Sequence, residues 1–232
     1  MVSDAQRQRI AAACVTVRIG DNFGRGVLVS GQLILTAAHN VIAALADRSS
    51  LPLEHALIGL GMGDHVTIEI ETTHGRLFAA PYAIEPVADI AVLGALDNQV
   101  FFAETDAYDA WCEATAPVAL HWDALPAFTP VPAWVYTHHG TWLSGTVLQG
   151  SPGAHGLMLT FPDGIEGGTS GAPVVTEQGQ LVGLVSQAGG TEADALQKGR
   201  EGYGPRPHLA LPWRLIQQIQ AAEHEALDAS PA

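Results

Sequence analysis

The sequence predicts an all-β protein, because three observations along its 232 residues agree. Most apolar stretches run for about four to eight residues, which is the usual length of a strand and is short for a helix. The 25 glycines and 14 prolines are scattered without a period and separate these stretches as turn residues do. At 67–71 polar and apolar side chains alternate, which is the pattern of a half-buried strand.

The predicted strands form two groups on either side of an acidic stretch. The first group comprises residues 15–19, 26–30, 33–36, 66–72 and 90–93. The apolar run at 10–17 belongs to the first strand in this interpretation, and a short helix at 38–47 ends before Pro52. The second group comprises residues 118–120, 133–137, 141–148, 157–160, 172–175, 181–186 and 208–211.

Three other segments complete the predicted order. Residues 97–116 mix aromatic with acidic side chains and are expected to cross between the two halves. Residues 189–207 are long, charged and glycine-rich, which is typical of a surface loop near a site. Apolar side chains recur at helical spacing after Pro212, so a C-terminal helix is expected. The chain thus divides into a first half (1–100), a crossover linker (101–116), a second half (117–212) and a helix (213–228).

The charge and the cysteine count restrict the partners and the compartment. The net charge is −14, with 10 Lys and Arg against 24 Asp and Glu, which argues against nucleic acid and anionic membranes as partners. This charge either keeps the protein soluble or attracts a basic substrate. Cys14 and Cys112 are expected to be two buried, unpaired thiols. Together with the absence of a signal peptide and of a membrane-spanning run, they indicate a cytoplasmic protein.

Three short blocks contain the residue types of an acyl-transfer site. His39 ends the run LILTAAH, Asp89 precedes the apolar run IAVL, and Ser170 lies in GGTSGAPVV. A serine hydroxyl needs a base within hydrogen-bond reach, and imidazole titrates near neutral pH. Each block alone is weak, because a serine between glycines is usually a turn residue. Their conjunction in the order His, Asp, Ser carries the interpretation.

With these blocks the chain resembles the chymotrypsin-like (trypsin-fold) serine proteases over about residues 13–215. The resemblance implies two six-stranded antiparallel Greek-key barrels with a C-terminal helix. His39 and Asp89 would come from the first barrel and Ser170 from the second. Ser170 would be the nucleophile, His39 the general base and acid, and Asp89 the group that orients the imidazole. The backbone N–H groups of Gly168 and Ser170 would form the oxyanion hole.

One departure from the family pattern concerns activation. Secreted family members that mature by cleavage often have an aspartate before the nucleophile, which pairs with a new amino terminus. Thr169 stands at that position and cannot form this ion pair. Activation without N-terminal processing is therefore expected, and the chain resembles the bacterial heat-shock (Deg-type) branch more closely.

The same resemblance suggests residues for substrate binding. Ser186 would lie near Asp89, while Gln187 and Ala188 would border the primary specificity pocket. Gly164, six residues before Ser170, would lie near the floor of that pocket. His208 either points into the pocket or is an ordinary core or loop histidine.

Other kinds of site are less well supported. His138 and His139 are adjacent, and in a strand their rings would point to opposite faces, which argues against a shared metal. The block GLGMG at 59–63 lacks the spacing of a dinucleotide loop. An α/β-hydrolase would need the serine first and the histidine last in the chain. No metal or cofactor is expected.

The sequence therefore predicts a serine endopeptidase acting on a protein or peptide substrate. One alternative keeps the fold but makes the domain an effector of a larger bacterial system, with a regulatory protein partner or fused domain that orders its loops. The linker-like segment 228–232 and the missing secretion signal favour that alternative. A further alternative is a binding module without catalysis.

Overall fold

The strands of the described residues form two closed antiparallel barrels of six strands each. A computed structural model describes residues 2–19, 22–48, 67–86, 89–123, 125–150, 156–187 and 208–210. The predicted all-β class and the two-barrel architecture are confirmed. The predicted C-terminal helix at 213–228 and the loop at 189–207 lie outside the described residues.

The first barrel has Greek-key connectivity. Its strands are β1 (Cys14–Ile19), β2 (Asn22–Val29), β3 (Leu33–Ala37), β4 (Ile68–Thr72), β5 (Gly75–Glu85) and β6 (Ile90–Gly94). Their order around the barrel is β1-β2-β3-β6-β5-β4, so β4 returns beside β1 as the motif requires. Strands β3 and β6 are buried along their whole length and pair with each other, with Ala37 opposite Ile90. That register brings the end of β3 next to the start of β6.

The second barrel repeats this connectivity. Its strands are β7 (Val131–Tyr136), β8 (Trp142–Gln149), β9 (Leu157–Thr160), β10 (Pro173–Val175), β11 (Leu181–Gln187) and β12 (His208–Ala210). Strand β10 lies beside β7, and the closed order is β10-β11-β12-β9-β8-β7. Each barrel has its own apolar core, and the first core also includes residues of the second barrel such as Val175 and Leu184. Burial of these side chains is the main favourable contribution to folding.

Three helices accompany the described strands: α1 (Asp4–Ala13), α2 (Ala38–Arg48) and α3 (Phe102–Ala114). Helix α2 follows β3 directly, as predicted. Helix α3 occupies the predicted crossover, where Tyr108 and Trp111 are buried and extend the first core. Arg25 of β2 also bridges the barrels, because its guanidinium lies over the ring of Tyr136 at 5.4 Å from the centroid.

The prediction of a strand that included residues 10–13 is wrong, because these residues end α1. Ser3 caps this helix, and the Gln6 side chain bonds back to the Ser3 backbone, which is a capping box. Gln6 Nε2 also donates to the carbonyl of Gln178, and Ile10 is fully buried. Helix α1 therefore packs against the turn between β10 and β11 of the second barrel, and alanines favour helix over strand here.

Two other predictions differ from the structure. Strand β5 was not predicted, because Pro81 and a register shift between Pro81 and Ala83 interrupt its alternating pattern. Residues 118–120 are not a strand, and Leu120 makes a single bridge to Leu181. The pattern of apolar and polar residues alone therefore did not show which of these two segments forms a strand.

Cys14 and Cys112 are buried and unpaired, as expected. Burial raises the pKa of the Cys14 thiol to about 12 and that of Cys112 to about 11. Both groups are therefore neutral thiols near neutral pH and poor nucleophiles. None of the described helices combines the length and the apolar character needed to cross a membrane.

Candidate active site

The pairing of β3 with β6 brings His39 and Asp89 together. His39 lies in the first turn of α2, just after β3 ends, and Asp89 directly precedes β6. The imidazole Nδ1 lies 3.0 Å from Oδ1 and 2.9 Å from Oδ2 of Asp89. The His39 backbone N–H donates to the same carboxylate at 2.9 Å. Fifty positions apart in the sequence, the two side chains become neighbours through one strand pair.

The Asp89 carboxylate is held in its charged form. Burial alone would raise its pKa, but hydrogen bonds from His39 and Ser186 outweigh burial and lower the pKa below its usual value. Ser186 Oγ donates to Asp89 Oδ2 at 2.5 Å, so Ser186 lies where the resemblance suggested. Asp89 has a φ of 55°, a left-handed conformation that aspartate and asparagine adopt more readily than most residues.

An ionised Asp89 determines which imidazole nitrogen is protonated. The Nδ1–H donates to the carboxylate, so Nε2 is left as the acceptor. The His39 side chain is 48% exposed while that of Asp89 is 20% exposed. The imidazole is therefore more exposed to solvent than the carboxylate that it contacts.

Ser170 comes from the turn before β10 and lies beside the same network. Its hydroxyl donates to the Ser186 carbonyl at 3.4 Å. Within the described parts of the chain, no hydrogen bond joins Ser170 to the His39 imidazole. In this structure the hydroxyl is thus bonded to the Ser186 carbonyl rather than to the imidazole.

The backbone of the Ser170 turn is bonded to the first barrel. The Ser170 carbonyl accepts hydrogen bonds from the Arg25 N–H at 2.7 Å and from Asn40 Nδ2 at 3.0 Å. Gly171 allows this approach, because a Cβ there would overlap the Arg25 carbonyl oxygen and its φ is 84°. These contacts fix the position of the serine relative to His39.

Asn40 is a site residue to which the sequence assigned no role. It is buried, it also donates to Thr36 Oγ1 at 3.1 Å, and its amide packs directly on Gly24. The sequence shows only that an asparagine follows His39 near the start of a predicted helix. Its contact with Gly24 arises from the fold. Asn40 thus links the segment that carries His39 to the backbone of Ser170.

Replacing Asn40 with Ala is expected to destabilise the protein by about 1–3 kcal/mol and to lower turnover, because it removes two hydrogen bonds and leaves a buried gap. Thermal unfolding and peptidase assays measure both effects. Asn98→Ala is the matched control, because Asn98 is exposed and its loss should change stability by less than about 0.5 kcal/mol. An Asn40→Ala protein with unchanged unfolding and unchanged turnover would contradict this role.

The turn 166–172 is held by backbone hydrogen bonds. Thr169 N–H donates to the Glu166 carbonyl, Gly171 N–H to Val185 and Ala172 N–H to Thr169. The N–H groups of Gly168 and Ser170 have no hydrogen-bond acceptor among the described residues. Gly168 has a φ of 85°, which favours glycine. These are the two amides named in the sequence analysis, and both are free of acceptors within the part of the chain that the structure describes.

Thr169 has a partner other than an amino terminus. Its side chain is fully buried, and its hydroxyl lies 3.1 Å from His138 Nδ1. His138 follows β7 in a turn, and its ring lies beside that of His139, with 3.6 Å between the centroids and a tilt of 43°. The expectation that these rings point to opposite faces is wrong, because they lie in a turn and not in a strand. Sequence analysis therefore missed His138 as the group that holds Thr169.

The structure describes the residues proposed for substrate binding to different extents. Gly164 lies in a turn with a φ of 71° and donates its N–H to Phe161. Gln187 ends β11, opposite Leu209, and His208 begins β12, opposite Leu159. The side chains of Gln187 and His208 lie outside what the structure describes, as does Ala188 entirely.

Comparisons with known proteins agree with this architecture. The sequence matches the model of the trypsin-like peptidase domain over residues 24–184, which is more than half of the chain. No curated protein matches the chain significantly. The fold is similar to a serine endoprotease from Yersinia pestis, with a TM-score of 0.58 and 18% identity over 96% of this chain. The chain spans 66% of the length of that structure.

A second similar structure comes from another bacterium. It is an inactive serine-to-alanine mutant of Rv3671c from M. tuberculosis, with a TM-score of 0.57 and 14% identity. The match covers 100% of this chain and 94% of the other. At these identities the two structures establish the fold, while the family match rests on the sequence itself. This chain belongs to the trypsin-like peptidase domain family.

Proposed function

We propose that the protein is a serine endopeptidase that hydrolyses peptide bonds through an acyl-enzyme on Ser170. The observation that carries this proposal is the His39 imidazole, held through Nδ1 by a charged Asp89 with Nε2 left as a base. Ser170 is bonded to the same barrel by its carbonyl. A base and a serine held in one frame are what nucleophilic catalysis needs.

In the proposed mechanism, Ser170 Oγ rotates from the Ser186 carbonyl toward His39 and attacks the substrate carbonyl carbon. His39 Nε2 takes the hydroxyl proton as the bond forms, and Asp89 stabilises the imidazolium. The N–H groups of Gly168 and Ser170, which have no acceptor among the described residues, donate to the oxyanion. His39 then protonates the leaving amine. Water, activated by the same nitrogen, hydrolyses the ester and restores Ser170.

A second candidate function is a peptidase domain that becomes active only when a partner or a fused domain orders the site. The observation that favours this candidate is that the Ser170 hydroxyl is bonded to the Ser186 carbonyl in this structure. Such a partner would shift the serine toward the conformer that reaches His39.

Incubating the isolated chain with an unselected peptide library and with a fluorophosphonate label tests both candidates. The primary proposal expects cleavage products and one label per chain, attached at Ser170. Cleavage and labelling that appear only after addition of a partner would favour the second candidate. If neither ever occurs, the domain is a binding module and the peptidase proposal is wrong.

A further inference from the structure

A cluster of three metal-ligating side chains lies beside the turn that carries Ser170. His138, His139 and Glu166 each offer one ligand atom, and these atoms all lie within 4.8 Å of one another. His139 Nε2 and Glu166 Oε2 are 3.0 Å apart. Nothing in the mechanism proposed for His39, Asp89 and Ser170 uses this cluster.

The turn between β7 and β8 explains why two adjacent histidines can bind the same metal ion. Strand β7 ends at Tyr136, and Thr137 then closes a tight turn by donating its N–H to the Thr141 carbonyl at 2.9 Å. Gly140 within this turn has a φ of 75°. The chain leaves the extended conformation here, so the alternation of side chains in a strand does not apply.

The donor set fits a zinc-class cation. Two imidazoles and one carboxylate are common zinc ligands, with bonds of about 2.0–2.2 Å, so neighbouring ligand atoms in a tetrahedral site lie about 3.3 Å apart. The 3.0 Å between His139 Nε2 and Glu166 Oε2 already approaches that separation. The side chains of His139 and Glu166 are 61% and 73% exposed, so small rotations can close the remaining gap to His138. The positive charge of Arg25 opposes a cation at His138, whereas the negative charge of Glu166 favours one.

A hydrogen-bonding partner behind the cluster supports the same interpretation. Histidines that bind metals usually donate their other ring N–H to a fixed acceptor, which orients the ring. His138 Nδ1 lies 3.1 Å from the buried Thr169 hydroxyl, and this leaves Nε2 available. Thr169 also donates its N–H to the Glu166 carbonyl at 3.3 Å. The cluster is thus bonded to the Ser170 turn at both His138 and Glu166.

We propose that His138, His139 and Glu166 bind one divalent cation such as Zn²⁺, with the fourth coordination position filled by water. The bound ion would join the turn after β7 to the turn 166–172. Because the ion binds the folded arrangement, it would stabilise the protein against unfolding. The site is separate from His39, so this proposal does not depend on peptidase activity.

Calorimetric titration of the folded Ser170→Ala protein with Zn²⁺ tests the site, and Ser170→Ala also prevents self-cleavage. We expect saturable binding that weakens by more than about tenfold in His139→Ala and in Glu166→Gln. The matched control is His74→Ala, which removes an exposed turn histidine outside the cluster and should bind as before. Circular dichroism checks that each variant is folded. Visible absorption of Co²⁺ reports tetrahedral coordination independently.

A second control separates this site from the His39–Asp89 pair, which could itself attract a metal. His39→Ala should retain the Zn²⁺ affinity and the Co²⁺ spectrum of the cluster. The proposal is overturned if the protein shows no saturable binding. It is equally overturned if binding survives in both His139→Ala and Glu166→Gln, or if it is lost in His39→Ala alone.

Discussion

Ser170→Ala is expected to lower kcat/KM on any cleaved peptide by a factor on the order of 10⁶, because the nucleophile of the proposed mechanism is removed. The melting temperature should barely change. Among the described residues the hydroxyl makes one long hydrogen bond, at 3.4 Å to the Ser186 carbonyl, whereas the contacts that hold the turn come from the Ser170 backbone. Steady-state kinetics and thermal unfolding of the same preparations measure both quantities.

Ser144→Ala is the matched control for this change. Ser144 also lies in the second barrel, on β8, but it is exposed and lies opposite Trp134 of β7. The control should keep both activity and stability. Residual turnover of Ser170→Ala near the wild-type level would show that another group is the nucleophile.

Asp89→Asn is expected to reduce kcat by about 10⁴-fold, the loss known for the same substitution in the chymotrypsin triad. The amide can donate to Nδ1, which then has to accept, and the proton moves to Nε2 where a base is needed. Asparagine tolerates the left-handed backbone at this position, so the fold should be retained. Asp106→Asn, an exposed change on α3, is the control and should leave kcat unchanged.

The lowered pKa of Asp89 gives this variant a second signature. A carboxyl whose pKa is lower in the folded than in the unfolded state contributes stability above its unfolded pKa of about 3.9, and that contribution is lost as the pH falls through the folded value. The melting temperatures of wild type and Asp89→Asn should therefore differ most near neutral pH and converge below about pH 4. A constant difference at every pH would show that Asp89 is not held as a carboxylate.

Features that depend on neighbouring residues could be predicted from the sequence, whereas contacts between residues far apart in the chain could not. The blocks around His39, Asp89 and Ser170 were readable, because histidine, aspartate and serine occur there in short motifs and in the chain order of the trypsin-fold family. Most strands were also readable from short apolar runs between turn residues. Strand β5 was not, because a proline and a bulge break its pattern.

The chain by itself determined the residue types of the candidate site, the all-β class and the two unpaired thiols. Only the tertiary structure decided that Asn40 bonds to the Ser170 carbonyl across the barrel interface, and that His138 holds Thr169. The physical reason is that these contacts join residues 130 and 31 positions apart. Closure of the barrels brings Asn40 to Ser170, and the turn after β7 brings His138 to Thr169. No local pattern of apolar and polar residues encodes either contact.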